Sequence, residues 1–133
     1  MPAAGFILSQ GGGVWLARQT MRGAPSALGD LGGKKDSGET LWQAAVREVF
    51  EEGGLDLSGA RLATTDQVFY GCKHTGERSY VFFFLETVDA PKMTGDKRIE
   101  EHVHLTAPPE WSTLHPRMQF AAGLRTRLQK CFA

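Results

Sequence analysis

Three glutamates lie close together in the sequence, at positions 48, 51 and 52. On an α-helix, positions i, i+3 and i+4 share one face, so Glu48, Glu51 and Glu52 would form one acidic patch. At about 5 Å and an effective dielectric constant of about 20, each pair of carboxylates repels by about 3 kcal/mol. In a cleft the patch therefore needs a cation, and an all-oxygen ligand set selects a hard ion such as Mg²⁺ or Mn²⁺. On a fully solvated helix the repulsion falls to about a few tenths of a kcal/mol.

The alternative to a metal site is a solvated acidic helix face, the usual meaning of a run of like charges. The flanking residues predict a helix with one apolar side, because apolar residues recur at helical spacing at Leu41 or Trp42, Ala45, Val46 and Val49. Ser37 and Glu39 lie where a capping residue and an early acidic residue belong, and the glycines at positions 53 and 54 supply the stop. The glycines at positions 32 and 33 allow a loop backbone to approach a ligand closely.

One pattern of spacing joins these features. The residues fill every fixed position of G-x5-E-x7-R-E-U-x-E-E-x-G-U, in which U is a bulky aliphatic residue: Gly33, Glu39, Arg47, Glu48, Val49, Glu51, Glu52, Gly54 and Leu55. At ordinary residue usage, such a match arises by chance roughly once in a billion starting points. The pattern is the Nudix box, and the chain resembles a Nudix hydrolase.

The resemblance implies an α/β fold, an α/β/α sandwich with a mixed β-sheet between helices. It also implies divalent-metal-dependent hydrolysis of a pyrophosphate bond in a nucleoside diphosphate joined to another group X. The implied metal ligands are Glu48, Glu51, Glu52 and the backbone carbonyl of Gly32. Glu39 and Arg47 would pair and support the loop and helix that carry the metal, although Arg47 could equally be only the i,i+4 partner of Glu51.

The general base stays open at this stage. In the superfamily it is either a glutamate of the box or a glutamate from a later loop. Here Glu100 and Glu101 occupy the corresponding stretch before the last strand, and a plain surface pair is the alternative for them. Asp96 is a weaker third candidate.

Contacts to the substrate are predicted from charge and aromatic character. Lys34 and Arg18 are candidate phosphate contacts, with a solvated side chain as the alternative. Family members that act on nucleoside triphosphates often carry an aromatic residue and a proline before the double glycine, whereas this chain has the sequence LGDL. Other aromatic residues would then have to stack on the base. The candidates are Phe69, Tyr70 and Tyr80, although each could also be a core residue.

The expected partner is a small nucleotide, foremost a (deoxy)nucleoside triphosphate. The alternatives are a dinucleoside polyphosphate, a nucleotide sugar, an inositol pyrophosphate, the RNA cap, or a sensor that binds a nucleotide without cleaving it. The balance of 15 basic and 15 acidic residues argues against nucleic acid, which normally needs a basic track. The sequence leaves open whether the chain forms a homodimer.

The chain of 133 residues predicts one domain over residues 1–133. Its two cysteines, Cys72 and Cys131, lack metal-type spacing and indicate free thiols in a reducing compartment. No apolar run approaches the roughly 20 residues of a membrane span, and no secretory leader is evident, so we expect a cytoplasmic protein that binds no membrane. His102 and His104 alternate along a strand and could form a zinc pair, but no third ligand follows at suitable spacing.

The elements that must position these residues follow from the same reading. Strands are predicted at residues 4–8 and 14–18 around a glycine turn, at 61–70 and 78–86 around a turn at 73–77, and at 102–105. Residues 19–30 and 90–101 are predicted to be loops. The apolar run at positions 80–85 indicates a strand covered on both faces, and residues 116–131 are predicted to form a closing helix with Met118, Ala121, Leu124 and Leu128 buried.

Overall fold

A computed structural model describes residues 2–61, 66–71 and 79–132, with the backbone alone described for 66–71 and 79. In these ranges the chain forms seven strands and three α-helices. The strands are β1 (Ala3–Gln10), β2 (Gly13–Met21), β3 (Ala24–Gly29), β4 (Leu31–Lys34), β5 (Asp66–Gly71), β6 (Ser79–Glu86) and β7 (Ile99–Leu105). The helices are α1 (Leu41–Gly53), α2 (Pro116–Gln119) and α3 (Leu124–Gln129).

The strands form one mixed sheet, as predicted. The order along the sheet is β3-β2-β1-β6-β5, while β4 pairs with β1 and β7 pairs with β2. β1 and β6 are parallel, from the pair Ala3 and Tyr80 to the pair Ser9 and Glu86, and the other pairings are antiparallel. The β1–β4 pairing sets the glycines at positions 32 and 33 opposite the start of β1.

Helices cover both faces of the sheet, which confirms the expected sandwich. Alternate residues of β6 point to opposite faces: Val81 and Phe83 pack with α1, whereas Phe82 and Phe84 pack with α2 and α3. The apolar run was therefore a correct signal for a doubly covered central strand. In the described part of the chain, no helix is long and apolar enough to cross a membrane.

Local interactions fix the ends of α1. Thr40 caps its start: the Thr40 hydroxyl accepts a hydrogen bond from the Gln43 backbone N–H, and the Gln43 side chain accepts one from the Thr40 N–H. The capping role expected for Ser37 is thus wrong, because Thr40 can form this reciprocal pair. Gly54 ends the helix with φ 66°, a left-handed conformation that favours glycine.

The predicted loop over residues 19–30 is mostly strand. β2 continues to Met21, turns at Gly23 and returns as β3, with a register shift between Gln19 and Met21. β3 ends the sheet path, where Pro25 is tolerated because an edge strand needs no donor on its open side. Pro25 and the turn glycine Gly23 are typical of loops, so the sequence pattern did not predict this strand.

β7 is longer than predicted. It begins at Ile99 instead of residue 102, because Ile99 is buried against the α1 face of the sheet and pairs with β2. Glu100 and Glu101 therefore lie on a strand and not on a loop.

The closing helix is broken into two short helices. α2 ends at Gln119 and α3 begins at Leu124, with Gly123 at φ 79° between them. The predicted buried residues Met118, Ala121, Leu124 and Leu128 are nevertheless all buried, since the broken segment still lays one apolar side on the sheet.

β5 and β6 form the predicted antiparallel hairpin. Its turn at residues 73–77, the residues 62–65 before β5, and Cys72 lie outside the described residues. Cys131 is a free, half-buried thiol, as expected.

Candidate active site

The three glutamates of α1 are not equivalent. Glu48 and Glu52, one turn apart, are buried, with only 5% and 3% of their surfaces exposed. The Glu51 side chain is 44% exposed and lies beside Arg47, with 3.0 Å between its Oε1 and the Arg47 Nη1. The helix therefore offers two carboxylates to an enclosed site and one at its rim.

The segment over residues 31–40, here called the glycine loop, packs directly on the buried pair; its first part was predicted to be a loop but forms strand β4. The Gly32 backbone N–H donates a hydrogen bond of 2.9 Å to Oε1 of Glu52. A Cβ at Gly33 would lie 2.6 Å from Oε1 of Glu48, so a side chain there would displace the carboxylate. The sequence predicted a close backbone approach to a ligand at these glycines, and in the structure their backbone lies close to the glutamates.

Burial makes the two carboxylates costly to charge. It raises the pKa of Glu48, and it raises the pKa of Glu52 to about 8, with repulsion from Glu48 adding to the effect. Oε2 of Glu48 is buried and has no hydrogen-bond partner among the described residues. A buried acceptor without a donor is normally satisfied by some other group, and a cation beside both carboxylates would serve. The donor chemistry therefore fits a hard divalent ion.

An arginine that the sequence reading missed reaches this pair. The Arg98 Nη2 lies 3.7 Å from Oε2 of Glu48 and 3.6 Å from Oε2 of Glu52. It also lies 2.8 Å from Oδ2 of Asp96. The only sequence signal was a cation directly before a strand in a charged segment, which is too common to single out one residue.

Arg47 ties the glycine loop to the helix. Its Nε and Nη2 donate to the two carboxylate oxygens of Glu39, at 2.8 and 3.0 Å, and Nη2 also donates to the Lys34 carbonyl. The hydrogen bonds from Arg47 lower the pKa of Glu39 to about 2. Arg47 contacts Glu51 and Glu48 as well, so the i,i+4 contact and the supporting contact coexist.

Within the described ranges, no three His, Cys, Asp or Glu side chains are already arranged to hold a metal ion. Glu48 and Glu52 supply two carboxylates, and a third ligand requires Glu51 to leave Arg47 or a backbone carbonyl to join. His102 and His104 do not supply it together, because the His102 Nε2 contacts the Glu52 carbonyl whereas the His104 Nε2 contacts the Gln10 carbonyl.

Comparison with known families identifies the family of the fold and the class of enzyme. The family model described as NUDIX domain matches residues 1–123. The chain belongs to the Nudix family. Its enzymes are pyrophosphohydrolases that act on small nucleotides and generally need a divalent metal.

Solved Nudix structures show the same fold at low sequence identity. The Ap4A hydrolase of C. elegans is 21% identical, with 97% of this chain and 93% of that chain covered and a TM-score of 0.64. The MutT protein of Methanosarcina mazei Go1 is 16% identical, with 98% and 93% covered and a TM-score of 0.63. A bifunctional NMN adenylyltransferase/ADP ribose pyrophosphatase from Francisella tularensis, complexed with AMP and a Mn ion, is 14% identical, with 98% and 41% covered and a TM-score of 0.68. None of the curated proteins compared matches the sequence.

In this Nudix hydrolase, two of the predicted site residues bind each other. Arg18 and Glu101 face one another across β2 and β7, with 2.9 Å between the Arg18 Nε and the Glu101 Oε1. Glu100 accepts a hydrogen bond from the Thr20 hydroxyl. Asp96, the weaker base candidate, binds the Arg98 guanidinium, and this contact lowers the pKa of Asp96.

The predicted substrate contacts have different surroundings. Lys34 is exposed at the end of β4. Tyr80 is only 7% exposed, in the core on the side of α2 and α3, so its position does not support a stacking role. Phe69 and Tyr70 lie on β5, and their side chains are outside the described part of the structure.

Tyr80 instead belongs to a buried polar cluster. Its hydroxyl donates a hydrogen bond of 2.6 Å to Oδ2 of the fully buried Asp30, and the Arg117 Nε donates one of 2.8 Å to Oδ1. The Tyr80 oxygen lies 2.1 Å from the point where a Cβ of Gly32 would stand. Asp30 in an otherwise apolar stretch was the one sequence signal for this cluster, since a buried carboxylate needs partners.

Proposed function

We propose that this chain hydrolyses a phosphoanhydride bond of a small nucleoside diphosphate-X substrate with Mg²⁺ or Mn²⁺. The ligands would be the carboxylates of Glu48, Glu51 and Glu52 and the backbone carbonyl of Gly32. One observation carries the proposal: two buried carboxylates with raised pKa values, one of which has an oxygen without a hydrogen bond to any residue that the structure describes.

The residues around this pair suit that chemistry. A divalent ion held there would supply positive charge to the phosphate oxygens and lower the pKa of water. Glu39 and Arg47 hold the glycine loop against α1, which keeps the ligands in fixed positions. Arg47 also holds Glu51 at the rim, close to where a third carboxylate ligand is needed.

We assign the general base to a glutamate of the box in preference to Glu100 and Glu101. The latter two make exposed contacts with Thr20 and Arg18 on β2, which account for both side chains. Replacing Glu101 with glutamine should therefore change kcat by less than about threefold, since an exposed ion pair contributes little. A loss of kcat comparable to that of Glu52→Gln would indicate that the general base lies on β7.

For the substrate, a (deoxy)nucleoside triphosphate remains the first choice, and two names among the similar structures add candidates. One is an Ap4A hydrolase and one includes an ADP ribose pyrophosphatase. All three share the nucleoside diphosphate unit joined to another group. A panel of dGTP, Ap4A and ADP-ribose, ranked by kcat/KM, would separate them.

The test is phosphate or nucleotide release from this panel with Mg²⁺, with Mn²⁺ and with EDTA. We expect turnover to require the metal and to fall by about 100-fold or more in Glu52→Gln while the fold persists. Glu110→Gln is the matched control: this exposed carboxylate lies beside Trp111, which packs on the opposite face of the sheet. Binding without turnover across the panel would instead indicate a sensor and overturn the proposal.

A further inference from the structure

Arg98 lies against the oxygens that a metal ion would take. One nitrogen, Nη2, lies within 3.7 Å of an oxygen of Glu48 and within 3.6 Å of an oxygen of Glu52. Both distances are longer than those of a hydrogen bond, and within the described part of the chain Oε2 of Glu48 has no hydrogen-bond partner. The contact is thus a charge contact between an exposed guanidinium and two buried carboxylates.

A third carboxylate, that of Asp96, holds Arg98 in place independently of the buried pair. Asp96 accepts hydrogen bonds from Nε and Nη2 of Arg98, at 3.1 and 2.8 Å, and from its backbone N–H at 2.9 Å. The turn passes through Gly95 at φ 87°. Loss of the contact to Glu48 and Glu52 would therefore leave the guanidinium attached to the same turn at the edge of the site.

The Arg98 side chain also has capacity for a further ligand. It is 58% exposed, and its Nη1 makes no hydrogen bond to the residues that the structure describes. A guanidinium with N–H groups still free at Nη1 can bind phosphate oxygens, because its donors form a planar fork.

We propose that Arg98 leaves Glu48 and Glu52 when the metal ion binds and then contacts a phosphate of the substrate. Two ionised carboxylates carry a charge of about −2, and a divalent ion bound to both neutralises them. The pair then no longer attracts the guanidinium, the bound cation repels it at close range, and the incoming phosphate attracts it. Arg98 is thus a counter-ion before metal binding and a substrate-binding residue afterwards. This inference rests on the proposed metal site.

The first measurement is Mn²⁺ binding by calorimetry without nucleotide, for the wild type, Arg98→Gln and Lys97→Gln. Lys97 is an exposed cation in the same turn, so its replacement removes the same charge as a matched control. We expect Mn²⁺ to bind about tenfold more tightly to Arg98→Gln and within about twofold of the wild type to Lys97→Gln. Unchanged or weaker binding to Arg98→Gln would overturn the inference and leave the proposed function standing.

The second measurement uses methylenediphosphonate, a diphosphate analogue that cannot be hydrolysed, at saturating Mn²⁺. Arg98→Gln should bind it about tenfold more weakly, so that one substitution strengthens metal binding and weakens phosphate binding. A merely structural role would weaken both and would overturn the inference. Arg98→Lys, which keeps the charge but loses the fork, should show smaller changes of the same signs and serves if the glutamine variant does not fold.

The two proposals fail in different ways. Absence of Mn²⁺ binding to the wild type, with and without the analogue, would overturn the proposed function together with the inference. Normal Mn²⁺ binding to the wild type with equal effects of Arg98→Gln and Lys97→Gln would overturn the role of Arg98 alone.

Discussion

The Gly32 backbone N–H and Oε1 of Glu52 form a hydrogen bond of 2.9 Å that joins β4 to the last turn of α1. The donor is the backbone of Gly32, where an added Cβ would lie 2.1 Å from the Tyr80 hydroxyl oxygen and 2.5 Å from the Ala4 carbonyl oxygen, so a side chain at this position would disturb the contact. One oxygen of Glu52 is thereby held toward the loop, while the other lies 3.6 Å from the Arg98 Nη2. The two oxygens of this carboxylate therefore have separate roles: one joins β4 to α1, and the other faces the Arg98 guanidinium.

Replacement of Glu52 with glutamine should stabilise the metal-free protein while abolishing activity. The amide oxygen can still accept the Gly32 hydrogen bond, but the buried charge is gone. Since the folded pKa of Glu52 is about 8 against an ordinary value of 4.5, the folded wild type retains its proton longer and loses stability as pH rises between those values. Urea unfolding with EDTA should show Glu52→Gln gaining about 1 to 3 kcal/mol at the upper end of this window. A gain that does not change with pH would contradict this explanation.

Arg47→Lys should lower kcat although Arg47 is not expected to contact the substrate. Lysine keeps the charge but cannot make the paired contacts to Glu39 and the Lys34 carbonyl. Loss of such supporting contacts typically costs about 10- to 100-fold in activity or metal affinity, and we expect a fall of that size in kcat together with a lower Tm. Arg22→Lys, in the exposed turn between β2 and β3, is the matched control. Equal kinetics for the two variants would argue against a supporting role for Arg47.

The buried cluster around Asp30 should be sensitive to both of its partners, to different degrees. Tyr80→Phe removes one hydrogen bond to a fully buried carboxylate and should cost about 1 to 3 kcal/mol of unfolding free energy. Arg117→Met removes the counter-charge and should cost about 3 to 5 kcal/mol. Urea unfolding measures both, and Asp30→Asn should make the arginine loss milder. Equal costs for Arg117→Met with and without Asp30→Asn would mean that the ion pair is not the source.

His115 should make the protein less stable in mild acid. Its Nδ1 accepts a hydrogen bond from the Arg117 N–H at the start of α2, and burial, with the nearby Arg117 charge, lowers its pKa from 6.5 to about 4. The unfolded chain therefore takes up the proton first, so stability falls as pH drops from 6.5 to 4. Asparagine can cap a helix without titrating in this range, so His115→Asn should have a flatter profile of Tm against pH. An unchanged slope would assign the acid sensitivity to other groups.

The parts of the fold that sequence predicted well are those in which local pattern and packing agree. The spacing of apolar residues in α1 and the run from Tyr80 to Leu85 both report burial directly, because helical and strand periods leave distinct patterns. Where packing overrides the local pattern, prediction failed. β3 contains Pro25, yet its pairing with β2 forms a strand, and the break at Gly123 keeps the buried spacing that suggested one helix.

Only part of the candidate site could be predicted from the sequence, for a similar reason. The box residues lie within one loop and one helix, so their spacing shows that they meet. Arg98 and the cluster of Asp30, Tyr80 and Arg117 join segments that are far apart in sequence, and their pairing depends on the sheet topology. Single residues of common types carry no signal for such contacts, so the counter-ion of the acidic pair had to be seen in the folded chain.

The Asp30 cluster also links the end of the chain to its chemistry. Arg117 is held by Asp30, and the Tyr80 hydroxyl on the same carboxylate presses against the backbone of Gly32. A shortened version that ends before Pro116 would lack Arg117 and leave the buried Asp30 charge uncompensated beside β4. The segment from Pro116 to Gln119 therefore supports the strand that carries Gly32, and its removal should disturb the position of that glycine as well as the stability of the fold.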